Sequence, residues 1–236
     1  MKKVIKLRGD ILEALKGKLD GFVLSGGTAL SVYYFRSHRE SYDLDFFAKI
    51  FARQKIESLM SSLSKLLSLK INLSEEQKRK DLAQMMVYYA VKDPKNSIKI
   101  DFVQDVHRII KPYNIVNGIP VMSIEDIYLR KIYAICGVFL TADEAGKRQF
   151  AGGRQDAKDF FDLFYLSSGF MPLSRFAEEY CNALEKESLV VWHSRYDRLA
   201  MKTGLLEIRT TQEIDYRRIE KHFNSEIEKL IKEDLA

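Results

Sequence analysis

The 236-residue chain has little cysteine, proline or glycine, and each shortage excludes a class of protein. Cys136 and Cys181 are its only cysteines, too far apart for a metal-binding motif and too few for a disulfide framework, so a reducing compartment is expected. Four prolines and twelve glycines exclude a fibrous repeat and a disordered chain. The remaining composition, 46% hydrophobic and 30% charged, is that of an ordinary globular protein.

A long hydrophobic run is also missing. The longest apolar stretch, IYAICGVFL at 132–140, is far too short to cross a bilayer. The basic N-terminal segment has no apolar core and therefore does not resemble a signal peptide. We expect a cytoplasmic protein with no membrane segment. Its net charge of +5 favours a polyanionic partner without requiring one.

The order of the patterns along the chain predicts an α+β fold. Alternating apolar and polar residues at 42–48 and 97–104 are typical of strands, and apolar residues at three-and-four spacing over 56–67 predict a helix. After Pro112 and the NGIP segment at 117–120 the chain is predicted to be helical, and the glycine-rich segment 144–155 is predicted to be a mobile loop between two helices. We therefore expect a small mixed β-sheet with helices, followed by a helical C-terminal lobe.

Three aspartates stand where the pattern predicts strands. Asp43 and Asp45 are two residues apart, so on a strand they face the same side. Like charges this close repel unless a cation lies between them. Asp101, between Ile100 and Phe102, is a third acid on another predicted strand. Mg²⁺ or Mn²⁺ suits such oxygen ligands, and two metals on three carboxylates can hold both ends of an in-line phosphoryl displacement.

The SGGT turn at 25–28 lies just upstream of these acids. Gly26 and Gly27 let the backbone approach a ligand closely, and the amides of Gly27 and Thr28 begin a helix, which suits the triphosphate of an NTP. Taken singly, a Gly-Gly pair is usually only a turn and a D-x-D strand is usually a solvated face. The order of turn, helix, D-x-D strand and later strand acid is what indicates a nucleotide site.

This order resembles the polymerase-β-like nucleotidyltransferases and, more narrowly, the AbiEii/AbiGii toxin-type nucleotidyltransferases, which include the MenT toxins. Five segments carry the resemblance and span most of residues 22–166: LSGGTAL, HRESYDLDFF, IKIDFV, SIEDIYLRKIYAI and RQDAKDFFDLFYL. The resemblance implies a nucleotidyltransferase-like core at 1–120 and a helical lobe at 121–236 that completes the active-site cleft.

The resemblance also implies roles for single residues. Asp43 and Asp45 would bind the metals, and Asp101 would complete the metal that activates the acceptor hydroxyl. Lys131 matches the conserved helix lysine of the family and would bind a phosphate.

Further residues of the nucleotide site follow from the same resemblance. Arg39 would brace the site or the triphosphate, and either Asp159 or Asp162 matches the acid of the last motif. The turn residues that would hold the nucleotide phosphates are Ser25, Gly26, Gly27 and Thr28.

The predicted function is metal-dependent transfer of a nucleotide from an NTP to a hydroxyl, with release of pyrophosphate. The basic charge and the resemblance favour an RNA acceptor such as the 3′ end of tRNA, and a toxin of a toxin–antitoxin system with a cognate antitoxin protein. Two alternatives stay open: nucleotidyl or phosphoryl transfer to a small molecule or a protein, and an inactive fold that only binds a partner.

Overall fold

The computed structural model describes residues 2–36, 38–79, 82–142 and 148–234. The chain divides into two compact units. The sheet unit comprises Met1–Arg36 and Glu40–Ile124, and the helical unit comprises Ser37–Arg39 and Glu125–Ala236.

The elements of the sheet unit alternate between helices and strands. A π-helical turn, Leu30–Tyr34, directly continues the second helix. The elements are α1 (Lys2–Leu15), β1 (Val23–Ser25), α2 (Gly26–Ala29), β2 (Leu44–Ala48), α3 (Arg53–Leu67), β3 (Lys70–Gln77), β4 (Met85–Asp93), β5 (Asn96–Gln104), β6 (Asn114–Val116) and β7 (Ile119–Val121).

Within the described residues these strands form one seven-stranded sheet, in the order β3-β4-β5-β2-β1-β7-β6. Strand β2 is parallel to β5 and antiparallel to β1, while β4 and β5 form an antiparallel hairpin. The sheet is mixed, as expected, and β1, β2 and β5 lie side by side in it.

Side chains along β2 and β5 point alternately to the two faces of the sheet, and one of these faces packs against the core. Phe46 of β2 and Phe102 of β5 are fully buried, and their rings stack with centroids 5.4 Å apart. Phe22 contacts Phe102 edge-on at 5.1 Å. Because side chains alternate with a period of two, the residues between these aromatics lie on the opposite face, and Asp45 and Asp101 are among them.

No strand was predicted between Pro112 and the helical region that follows the NGIP segment at 117–120, and the structure has a hairpin there. Strands β6 and β7 form an antiparallel hairpin, and β7 pairs in parallel with β1. The turn between them is Asn117-Gly118, and both residues have positive φ, 50° and 77°. Asparagine and glycine tolerate that conformation best, so this dipeptide is the sequence signal of a tight hairpin.

The helical prediction is wrong at one place in the helical unit. Gly137, with φ of 90°, follows the last residue of α4 (Ile124–Cys136), and strands β8 (Gly137–Ala142) and β9 (Arg148–Gly152) pair there in antiparallel fashion. Part of the predicted loop at 144–155 is therefore strand. Residues 144–147 of that loop lie outside the described residues.

The rest of the helical unit consists of α5 (Ala157–Gly169), α6 (Leu173–Tyr180), α7 (Ala183–Arg195), α8 (Arg198–Leu205) and α9 (Tyr216–Asp234). Aromatic residues fill its core: Phe160 contacts Phe223, Trp192 and Tyr196 at centroid distances of 5.0 to 6.0 Å. Across the described ranges, none of the helices has the length and hydrophobicity to cross a membrane.

Candidate active site

Three polar residues form a row across the middle of the sheet unit. Ser25 at the end of β1 pairs with Asp45 of β2, and Asp45 pairs with Asp101 of β5. The register follows from the buried Leu24, which pairs with Phe46 on the core face. Two of the predicted metal ligands are thus direct neighbours on adjacent parallel strands, next to the predicted phosphate turn.

The glycine turn begins where this row ends. Gly26 has φ of 69°, a conformation that costs a residue with a Cβ free energy but suits glycine. A Cβ built at Gly26 would lie 2.3 Å from Oδ2 of Asp45, so the carboxylate occupies the space above the glycine. The turn and the acid are in van der Waals contact because residue 26 has no side chain.

Asp43 directly precedes β2 and is exposed, whereas Asp45 is half-buried. The backbone around Asp43 is held by Thr28, whose buried hydroxyl donates to the carbonyl oxygen of Asp43 at 2.5 Å and contacts Oγ of Ser41 at 3.0 Å. Arg8 of α1 donates to the carbonyl oxygen of Ser41 at 2.5 Å. The hydroxyl of Thr28 therefore joins the glycine turn to the acidic segment, and the backbone amides of the turn are the groups suited to a phosphate.

Asp101 is buried, and its Oδ2 forms an ion pair with Nζ of Lys99 at 2.5 Å. Burial raises the pKa of Asp101 above its ordinary value, against the opposing effect of Lys99, and the charge of Asp43 adds to the rise. Burial alone would lower the pKa of Lys99, but the hydrogen bond to Asp101 and the charges of Asp101, Asp43 and Asp45 raise it. The three carboxylates thus act on one ammonium group.

The chemistry of these donors fits a divalent metal ion. Oδ1 of Asp101 is buried without a hydrogen-bond partner, which is costly for a carboxylate oxygen unless a cation contacts it. Carboxylate oxygens are the ligands that Mg²⁺ prefers. However, no group of three or more His, Cys, Asp or Glu side chains in the described part of the chain already has a metal-binding arrangement. The carboxylates would have to close around an ion, and Oδ2 of Asp101 is occupied by Lys99.

The other predicted site residues lie together in the helical unit. Lys131 of α4 is buried, and its Nζ lies 2.7 Å from Oδ1 of Asp159 and 2.7 Å from Oδ2 of Asp162, both on α5. Burial alone would lower the pKa of Lys131, but the two carboxylates outweigh it and hold the pKa above its ordinary value. Lys131 is therefore a charged lysine between two aspartates.

Asp162 is the centre of this cluster. It is fully buried and accepts from Nε and Nη2 of Arg39 at 2.6 and 2.7 Å, while Nε2 of His38 lies 2.8 Å from its Oδ1. Burial opposes ionisation, but Lys131 and Arg39 lower the pKa of Asp162 well below its usual range. Asp162 is surrounded by donors of the protein itself, which suits a residue that positions Arg39 and Lys131.

Asp159 differs in having a partner that reaches solvent. It accepts from Arg154, whose side chain is 63% exposed, as well as from Lys131. Its pKa is lowered by Lys131 and Arg154, against the effect of burial. Of the two aspartates between which the sequence did not decide, Asp159 is therefore the one with an ion pair at the surface.

Sequence reasoning did not assign a role to Lys99, His38 or Arg8. Lys99 had a usable signal, because it stands two residues before Asp101 on a strand and must share its face. The contact of His38 with Asp162 spans 124 positions, and that of Arg8 with Ser41 spans 33. A pairing across such separations leaves no local pattern.

A family profile matches residues 10–235 of the chain, described as nucleotidyl transferase AbiEii toxin of a type IV toxin–antitoxin system. The chain belongs to the AbiEii family. The match extends beyond the region 22–166 that carried the sequence resemblance and includes the last seventy residues. As an AbiEii protein the chain is a nucleotidyltransferase that uses an NTP, and the family gives it the role of toxin and implies an antitoxin partner.

Solved structures from Helicobacter pylori share the fold of this AbiEii protein. JHP933 is 21% identical with a TM-score of 0.59, over 99% of this chain and 96% of that one. A second H. pylori protein, described as a candidate nucleotidyltransferase, is 20% identical with a TM-score of 0.57, over 96% of each chain. MenT4, a nucleotidyltransferase toxin of Mycobacterium tuberculosis, is 13% identical over 94% of this chain and 82% of that one, and its TM-score of 0.49 adds nothing to the assignment. The search of curated proteins gave no match.

Proposed function

We propose that this AbiEii protein transfers a nucleotide from an NTP to a hydroxyl of RNA, such as the 3′ end of tRNA, with Mg²⁺ or Mn²⁺ and release of pyrophosphate. The observation that carries the proposal is the row of Ser25, Asp45 and Asp101 across three adjacent strands, with the Gly26 turn against Asp45. Nucleotidyltransferases of this kind generally use a divalent metal.

Different residues of the sheet unit would bind the metal, bind the phosphates and position the acids. Asp43, Asp45 and Asp101 would hold the metal, which when bound neutralises the triphosphate and lowers the pKa of the acceptor hydroxyl. The amides of Gly27 and Thr28 would face the phosphates, because glycine at positions 26 and 27 lets a ligand approach the backbone closely. Thr28 fixes the segment before β2, so that the acids are positioned before the substrate arrives.

The family roles of Arg39, Lys131 and Asp159 are proposals as well. Lys131 would bind a phosphate, Asp159 would carry the role of the last-motif acid, and Asp162 would hold both cations in place. A Lys131→Ala variant should bind NTP more weakly by equilibrium dialysis. Unchanged affinity in a variant with native circular dichroism would remove Lys131 from the nucleotide site.

A basic groove on the helical unit supports a polyanionic acceptor. It has a volume of about 580 Å³ and lies beside the first two turns of α9. Arg217, Arg218 and Lys221 are exposed there, and none of the three forms an ion pair with the residues that the structure describes. Arg218 and Lys221 are three residues apart and Arg217 and Lys221 four, which places them on one helix face. Cations without carboxylate partners are available to the phosphates of RNA.

The test is to incubate the purified protein with each α-labelled NTP, Mg²⁺ and either deacylated tRNA or total RNA. We expect label in RNA, absent in the Asp45→Asn variant and in the presence of EDTA. Label in protein or small molecules instead would overturn the RNA acceptor. Label nowhere, with no nucleotide bound, would favour a fold that only binds a partner. The cytoplasmic location stays a prediction.

A further inference from the structure

Lys99 contacts the carboxylate of Asp101, one of the three acids that would hold the metal. The two residues share a face of β5, and Nζ of Lys99 is 2.5 Å from Oδ2 of Asp101. Asp101 is a direct neighbour of Asp45 across β2 and β5. The ammonium group of Lys99 therefore lies beside the row of acids.

The ammonium group of Lys99 partly balances the negative charge of this row. Asp43, Asp45 and Asp101 all attract it, and Glu75 of β3 adds negative charge near Asp101. Like charges so close would otherwise repel each other. One oxygen of Asp101 nevertheless has no hydrogen-bond partner. The single positive charge of Lys99 thus compensates only part of the negative charge of the acids, and a doubly charged ion would compensate more of it.

The position of Lys99 allows its side chain to move away from Asp101. Its side chain is 34% exposed, while its chain neighbours Ile98 and Ile100 point to the other face and are fully buried. The four-carbon stem can therefore swing toward solvent without any change in the core.

We propose that Lys99 is a built-in counter-ion of the carboxylate row, displaced from Asp101 when a divalent cation binds. The proposal rests on the metal site of the proposed function. Its consequence is that Lys99 stabilises the empty site and weakens its affinity for the free metal ion, because the ion must displace a charge already in place.

The test compares Mn²⁺ binding to the wild type and to Lys99→Met, which keeps the length of the side chain and removes the charge. Free Mn²⁺ is measured by its electron paramagnetic resonance signal. We expect at least about tenfold tighter binding in the variant, since a unit charge a few ångströms away is worth more than that at an intermediate dielectric. Mn²⁺ should also raise the melting temperature of the variant more than that of the wild type. The control, Lys92→Met at an exposed position of β4, removes the same charge from the same sheet and should bind Mn²⁺ as the wild type does.

A second measurement uses only the wild-type protein, in case the variant does not fold. Reductive methylation followed by mass spectrometry should modify Lys99 several-fold faster with saturating Mg²⁺ than without it, while Lys92 reacts at one rate. An unchanged Lys99 rate, or equal Mn²⁺ affinity in Lys99→Met, overturns the counter-ion role. If Asp45→Asn still abolishes Mn²⁺ binding in that case, the metal site stands. Absence of Mn²⁺ binding in both the wild type and Lys99→Met overturns the metal site as well.

Discussion

Oδ2 of Asp45 lies where a side chain of Gly26 would begin, 2.3 Å from the position of its Cβ. A Gly26→Ala substitution must move the carboxylate and also strain a backbone with φ of 69°. We expect a loss of nucleotidyl transfer of at least about 100-fold, since misplacement of a catalytic group by 1 Å can cost that much. Transfer of labelled NTP to RNA measures it.

Gly9 offers the matched control for this substitution. It lies in α1, and a Cβ there meets no atom within 4 Å. Gly9→Ala should leave activity unchanged and stabilise the fold by about 0.5–1 kcal/mol, because alanine loses less entropy in a helix. Full activity of Gly26→Ala would show that the contact between Gly26 and Asp45 is irrelevant to transfer.

Asp43 is exposed and precedes β2, so its removal should affect chemistry and not folding. We expect Asp43→Ala to lower transfer by at least about 100-fold, the cost of losing one electrostatic group of a catalytic site. Its melting temperature should stay within a few degrees of that of the wild type, because loss of one acid also relieves repulsion within the row. A variant that is inactive only because it is unfolded at the assay temperature would contradict this.

The two aspartates of α5 should differ in their contribution to stability. Asp162→Asn leaves Arg39 and Lys131 buried with reduced compensation, and should lower the free energy of unfolding by about 3–5 kcal/mol. Asp159→Asn should cost less than half of that, because Lys131 keeps Asp162 and Arg154 reaches solvent. Urea unfolding followed by circular dichroism measures both variants. An equal loss of unfolding free energy in the two variants would contradict the central role of Asp162 in this cluster.

Glu226 of α9 should make the stability of the helical unit dependent on pH. Burial opposes its ionisation, but Lys229 and the backbone and side chain of Ser174 outweigh burial and lower the pKa of Glu226. A lowered folded-state pKa stabilises the fold above about pH 4.5, the ordinary value, and the stabilisation disappears as the pH falls through the lower folded-state pKa.

The free energy of unfolding of the Glu226→Gln variant should therefore be about 1.5–3 kcal/mol lower than that of the wild type at pH 7, the range for hydrogen bonds to a charged group. The difference should shrink below pH 4.5. Urea titrations at several pH values measure it, and a difference that does not change between pH 7 and pH 3.5 would contradict the assignment to the ionised carboxylate.

The groove beside α9 should matter for RNA and not for NTP. Arg217→Glu combined with Lys221→Glu reverses two charges that phosphates would contact. We expect RNA affinity to fall about tenfold or more and to lose part of its salt dependence, because each lost phosphate contact removes counterion release. NTP affinity should be unchanged. A double variant in which both affinities change equally would indicate a general effect of charge.

The part of the fold that could be predicted is the part with local patterns. Alternation around Asp45 and Asp101 identified β2 and β5, and their hydrophobic neighbours fixed which side the acids face. The pairing of Asp45 with Asp101 was implied only by the family resemblance, because the strands are more than fifty positions apart. Sequence patterns describe single strands and do not give their order in a sheet.

The errors have physical causes too. The β6–β7 hairpin was missed because each strand has only three residues, too few for alternation, although Asn117-Gly118 marked the turn. The ion pairs of Lys131 with Asp159 and Asp162 could not be predicted either, because a buried cation needs carboxylates that only the tertiary fold supplies. The phosphate-binding role of Lys131 stays a prediction.

The alternation of buried and acidic side chains along β2 has a consequence for the heat inactivation of the enzyme. A shift of this strand by one position would turn Phe46 outward and bury Asp45, so the hydrophobic core would fail at the same moment as the acid row. No misregistered but still folded population should accumulate on heating. Thermal loss of enzymatic activity and thermal loss of ellipticity should therefore coincide on a single curve.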